Sequence, residues 1–79
     1  MTEHVKHIVD NLPFNPGIYM MRDENGKIIY VGKAISLRKR VRQYFQKNNK
    51  SARIEKMVSL IRDISYIVTE NEVEALVLE

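Results

Sequence analysis

The chain has no cysteine and no apolar run longer than a β-strand, and between Lys33 and Lys56 it has a single acidic residue. Without cysteine there is no disulfide framework, no thiolate-bound zinc and no thiol nucleophile, which fits a reducing compartment. Runs such as Ile28-Ile29-Tyr30-Val31 are far too short to span a bilayer. The N-terminus leads into no apolar signal core, so a cytoplasmic location is expected. At 79 residues the chain builds one domain with a small core.

The shortage of acid in the middle exposes a charge asymmetry. Lys33, Arg38, Lys39, Arg40, Arg42, Lys47, Lys50, Arg53 and Lys56 stand against Glu55 alone. That segment carries +8 in a chain whose total is +3, leaving −5 for the remainder. Such a block is the footprint of a polyanion binder, although solvated helix faces would carry the same charges.

Apolar spacing at Val5, Ile8, Val9 and Leu12 predicts a helix over residues 3–12, stopped by Pro13. Two strands follow, residues 17–23 and 27–32, joined through Asn25-Gly26, a strong hairpin signal. A two-residue loop there sets Met21 opposite Tyr30 and Tyr19 opposite Gly32. Tyr19 and Tyr30 then share one face, while Ile18, Met20, Ile29 and Val31 form the other, expected to be the core side. A loop one residue longer would reverse every facing. Ser36 is an expected N-cap for a helix over 37–46, with Leu37, Val41, Tyr44 and Phe45 as its apolar stripe and Arg40 one turn from Tyr44. Residues 47–50 read as a polar loop, and Ser51 caps a helix over 52–62. Residues 65–69 read as a third strand. Asn71 and Glu74 resemble a capping box for a last helix that stops in mid-pattern at Glu79, as in a fragment of a longer protein.

Strand, Gly32-Lys33, then helix suggests a phosphate-binding loop, but the preceding glycine is one residue too far away and Ala34 stands where Ser or Thr is required. His4 and His7 alone lack the further ligands of a metal site and read as an exposed pair. Tyr19, Tyr30, Lys33, Arg40 and Glu79 make a different set. A nearby ammonium stabilises a phenolate, Arg40 can fork onto a phosphate, and one carboxylate with water can hold Mg²⁺. These are the parts for phosphodiester hydrolysis, although strand tyrosines also serve simply as packing residues.

Gly17-Ile18-Tyr19 and, after ten residues, Tyr30-Val31-Gly32 resemble the paired triplets of the GIY-YIG nucleases. Leu12-Pro13, Pro16-Gly17, Gly32-Lys33-Ala34, Leu37-Arg38-Lys39-Arg40-Val41, Gln43-Tyr44-Phe45 and Glu74-Ala75-Leu76-Val77-Leu78-Glu79 are similar to the UvrC branch of that family. The resemblance implies an α+β fold, a small three-stranded antiparallel sheet flanked by helices and cut short in the last one. It implies a metal-dependent incision 3′ to a DNA lesion in nucleotide excision repair, with UvrA and UvrB as partners and Mg²⁺ or Mn²⁺ as cofactor. It assigns Glu79 to the metal, Arg40 to the phosphate, Lys33 to support of the base and Tyr30 to activation of water. Tyr19 and Tyr44 line the same pocket, and the choice of base between Tyr30 and Tyr19 stays open. Lys33, Arg38, Lys39, Arg40, Arg42 and Arg53 are the expected DNA contacts. A stand-alone or mobile-element endonuclease and a non-catalytic basic binding module are the alternatives. No membrane association is expected, and the chain is expected to be a monomer.

Overall fold

Residues 1–46 and 51–70 are described by a computed structural model. The order is α1 (Glu3–Asn11), β1 (Gly17–Arg22), β2 (Ile28–Ala34), α2 (Leu37–Tyr44), α3 (Ala52–Leu60) and β3 (Asp63–Val68). The strands form one antiparallel sheet in the order β2-β1-β3, so β1 is central. The expected α+β class and three-stranded sheet are both observed. The expected loop at 47–50 and the last helix from Asn71, Glu79 included, lie outside the described residues.

Helix α1 begins where Thr2 Oγ1 accepts the Val5 amide at 3.1 Å, and it buries Val5, Val9 and Leu12 as the spacing requires. Helix α3 is capped as expected, Ser51 Oγ accepting the Ile54 amide at 3.2 Å. Ser36 does not cap α2. Its hydroxyl is buried with no hydrogen-bond partner. The reason lies in the preceding loop: the Asn15 carbonyl takes the Leu37 amide at 3.0 Å and the Pro13 carbonyl takes the Arg38 amide at 3.1 Å. Backbone has thus already used a donor that a capping side chain would have satisfied.

The hairpin loop is one residue longer than Asn25-Gly26 implies. The Asp23 amide donates to the Lys27 carbonyl at 3.0 Å, leaving Glu24, Asn25 and Gly26 as the loop. Asp23 imposes this, its Oδ1 accepting the amides of Asn25 at 2.9 Å and Lys27 at 3.0 Å. Gly26 closes the turn with φ 79°, where only glycine is unstrained. That extra residue alone would turn Tyr30 to the wrong side. A bulge cancels it: Arg22 faces Ile28 while Met21 faces Tyr30, so Ile29 is the surplus residue. From Met21 to Gly17 the register is the expected one, with Tyr19 opposite Gly32.

The core lies on the opposite face from the one expected. Tyr19, Met21, Ala34 and Ile64 pack with Val5, Val9, Leu12, Leu37, Val41, Tyr44 and Ile61. On the other face Ile18 is buried, but Val31 is 42% exposed and Ile67 is 50% exposed. The helices α1 and α2 cover the tyrosine face, because tyrosine rings offer a large apolar body whose hydroxyls can satisfy one another.

Candidate active site

Three tyrosines from three elements converge on that covered face. Tyr19 of β1 and Tyr30 of β2 have ring centroids 6.1 Å apart, and Tyr44 of α2 lies 5.9 Å from the first and 5.8 Å from the second. The Tyr19 and Tyr44 hydroxyls share a buried hydrogen bond of 2.9 Å. Antiparallel pairing makes Tyr19 and Tyr30 diagonal neighbours. Tyr44, on the stripe of Leu37 and Val41, comes down onto them from the helix.

Gly32 makes room for this. A Cβ there would overlap the hydroxyl and Cζ of Tyr19 and come within 2.9 Å of its Cε2. The Tyr19 ring therefore lies across the bare backbone of its cross-strand partner. Gly17 has a different cause, since a Cβ there would overlap the Ile67 carbonyl oxygen and reach 2.9 Å from Leu37 Cδ1. Each triplet glycine is a point of close approach on this face.

Burial pushes the Tyr19 phenol above its usual range, against the opposing effect of hydrogen bonds from Tyr44 and Arg40. Burial also raises Tyr44, and its bond to Tyr19 adds to the rise. In both, the charged phenolate is disfavoured in this setting. Tyr30 is the most exposed of the three rings. Arg40, one turn before Tyr44, places its guanidinium carbon 5.6 Å from that ring's centroid. Hydrogen bonding to Tyr19 is the main cause that raises its pKa further, so it is a permanent cation at the edge of the cluster.

Beside the cluster, between the end of β2 and α2, a groove of about 480 Å³ is lined by Lys33, Ala34, Ile35, Ser36, Lys39, Arg40 and Gln43. Strand alternation turns Lys33 to the opposite face of β2 from Tyr30, and it contributes to this groove with Lys39 and Arg40. The structure thus gathers Tyr19, Tyr30, Tyr44 and Arg40 in one cluster and Lys33, Lys39 and Arg40 along one groove.

The other expected DNA contacts are dispersed. Arg38 turns toward the α1–β1 loop, its Nε donating to the Leu12 carbonyl at 2.6 Å and its guanidinium carbon lying 4.4 Å from the centroid of the Phe14 ring. Arg42 faces α1, 3.6 Å from Asp10. Arg53 is exposed on α3. His4 meets Asp63 at 3.0 Å across α1 and β3, a surface tie outside the tyrosine cluster. Sequence reasoning missed Gln43, whose Oε1 accepts Arg40 Nη1 at 3.2 Å. Its place three residues after Arg40 on a helix was the available signal.

Comparison with known proteins gives this constellation its context. Residues 15–79 match the model of the UvrC-like GIY-YIG domain. The chain belongs to that family. The UvrABC system protein C of Caldicellulosiruptor saccharolyticus is 62% identical over 69 residues, 87% of this chain and 12% of that protein. Its counterpart from Methanospirillum hungatei is 59% identical over 68 residues, 86% of this chain and 13% of that protein. The UvrC-like domain thus spans about an eighth of the length of these relatives. Among solved structures, the magnesium-bound GIY-YIG N-terminal endonuclease domain of UvrC from Thermotoga maritima superposes with a TM-score of 0.86 at 32% identity. That match covers 100% of this chain and 85% of the other. A tyrosine-to-phenylalanine point mutant of the same Thermotoga domain, bound to its catalytic divalent cation, also gives 0.86, at 30% identity.

Whether a divalent ion suits a UvrC-like site of this composition can be tested on its donors. Among the described residues no three His, Cys, Asp or Glu come together. The cluster offers phenol hydroxyls and a guanidinium, with no imidazole or thiolate. That composition does not suit a zinc-type site; a hard ion here would need a carboxylate in addition to these donors, with water filling its other positions.

Proposed function

We propose that this chain is a metal-dependent DNA endonuclease domain, cutting a phosphodiester bond on the 3′ side of a lesion in bacterial nucleotide excision repair. The observation that carries the reading is the three-tyrosine cluster flanked by Arg40 and opening beside the Lys33–Lys39 groove. On this reading, UvrA and UvrB would deliver the damaged duplex.

Hydrolysis needs a base for water, a grip on the scissile phosphate and charge to meet the transition state. Tyr30 is assigned to the base. It is the most open of the three phenols, whereas burial disfavours ionisation of Tyr19 and Tyr44. Acting as the phenolate, its oxygen takes one proton of the attacking water as the water oxygen bonds to phosphorus; the bond from phosphorus to the leaving oxygen breaks, and that oxygen takes up a proton from solvent. Arg40 forks onto the phosphate oxygens, held toward them by Gln43. Lys33 adds positive charge from the groove. Tyr19 and Tyr44 hold the Tyr30 ring in place by packing on it from two sides. Glu79 is assigned to Mg²⁺, or Mn²⁺ in its place, which when bound supplies positive charge to the phosphoryl oxygens.

The test has two arms. Titration of the chain with Mn²⁺, followed by amide NMR, should broaden signals around Tyr30, and Glu79→Gln should abolish the effect. In a nicking assay with Mg²⁺, Tyr30→Phe should lose about 10²- to 10⁴-fold in rate, the usual value of a general base. Wild-type nicking by Tyr30→Phe would sink the assignment. DNA binding indifferent to metal, with no cleavage in any variant, would instead favour a non-catalytic binding module for the same groove.

A further inference from the structure

A nuclease that grips one phosphate still has to hold the strand in register, and the groove beside the tyrosines has the equipment. Lys33 and Arg40 belong to its inner end by the reading above. Lys39 does not: it is exposed one residue before Arg40, forms no ion pair among the described residues, and lines the same groove. Ser36, half-buried on the groove wall, carries the single buried side-chain oxygen or nitrogen among the described residues that lacks a partner. Its resting rotamer forgoes a hydrogen bond, because the loop carbonyl of Pro13 has displaced it from the cap. Turning that hydroxyl into the groove breaks nothing and gives a donor for an anionic oxygen.

We infer that Ser36 and Lys39 form a subsite for a second backbone phosphate, the neighbour of the one that Arg40 holds, and so position the strand for the cut. This rests on the nuclease reading for the role of Arg40. The two residues act through the bound strand and are positioning residues. Arg38, beside them in sequence, is excluded because its guanidinium is committed to Leu12 and Phe14.

A nucleotide with two phosphates one sugar apart tests the idea without depending on cleavage. Deoxythymidine 3′,5′-bisphosphate and deoxythymidine 5′-monophosphate are titrated into the 79-residue chain by calorimetry in the presence of Mg²⁺. The second phosphate should tighten binding about tenfold, the scale of one charge-assisted hydrogen bond. Ser36→Ala and Lys39→Ala should each remove most of that gain while leaving monophosphate affinity within about twofold, and Lys39→Arg should retain it. Both alanine variants should melt no lower than the parent, which separates loss of the subsite from loss of fold. A bisphosphate advantage unchanged in both variants, or no advantage in the parent, overturns the subsite. Neither result touches the nuclease reading, which falls if the chain binds DNA indifferently to metal and neither it nor any variant cleaves.

Discussion

Replacing Gly32 with alanine tests the reason for the glycine in the second triplet. The added methyl would occupy the space of the Tyr19 hydroxyl and Cζ. Tyr19 is 1% exposed, sits on the central strand and is pinned by its hydroxyl bond to Tyr44, so the ring has nowhere to swing. Overpacking of this kind costs about 1–3 kcal/mol, and breaking the buried hydroxyl pair adds about 1 kcal/mol. A domain of this size is held by roughly 4–12 kcal/mol, so a loss of about 2–4 kcal/mol is a large share. It corresponds to a melting point lower by more than about 10 °C. The clean assay is a cycle with Tyr19→Leu, urea melts giving the stability of all four forms. In the leucine background the clash with the phenol is gone, and Gly32→Ala should cost less than about 1 kcal/mol. Equal costs in both backgrounds would refute the reasoning and leave the glycine to be explained by backbone alone.

Alkaline pH should destabilise the fold through Tyr19 and Tyr44. The folded-state pKa values of Tyr19 and Tyr44 are raised above the unfolded value, so ionisation favours the unfolded chain. Stability from this source is intact below about pH 10 and is lost as pH rises through the folded values, with tyrosinate absorbance and loss of ellipticity coinciding for that pair. Arg38→Ala should lower stability by about 1–3 kcal/mol through the lost bond to the Leu12 carbonyl, whereas Arg53→Ala should leave the melting point within about 2 °C. Asp23→Ala removes the acceptor of two loop amides and should cost about 1–2 kcal/mol, with faster hydrogen exchange at Asn25 and Lys27. An unchanged exchange rate at both would show that the turn holds without the carboxylate.

Much of this arrangement was legible because it follows from local periodicity and covalent reach. The stripe of α2, the cap at Ser51, the presence of a turn at Asn25-Gly26 and the shared face of Tyr19 and Tyr30 are all short-range matters. What escaped depends on competition between partners. Ser36 has a capping side chain, but only the folded loop shows that Pro13 supplies the carbonyl first. Asn25-Gly26 favours a two-residue loop until the Asp23 carboxylate is counted, and nothing local announces the bulge at Ile29 that restores the register. The basic block likewise reads as one patch, yet helical rotation sends Arg38 to Phe14, Arg42 to Asp10 and Lys39 to the groove. Charge counted along the chain says nothing about which face receives it.

The misassigned core face has the widest consequence. Ile18, Met20, Ile29 and Val31 make the more apolar side by residue type, and hydropathy alone prefers to bury them. The fold instead builds its main core on the side that carries the chemistry, Ile29 at the bulge packing against that core and Ile18 buried behind it, so Tyr19 is both a core residue and a wall of the site. Low dielectric around the phenols strengthens their contact with Arg40 and keeps Tyr19 and Tyr44 neutral. It also divides the cluster by exposure. Truncating Tyr19 or Tyr44 to alanine removes core volume and takes stability with it. Removing only the Tyr30 hydroxyl touches the most open ring and should leave the fold intact. Loss of activity without loss of stability is therefore the signature to seek at Tyr30, and at the buried pair the two effects have to be separated by Phe rather than Ala.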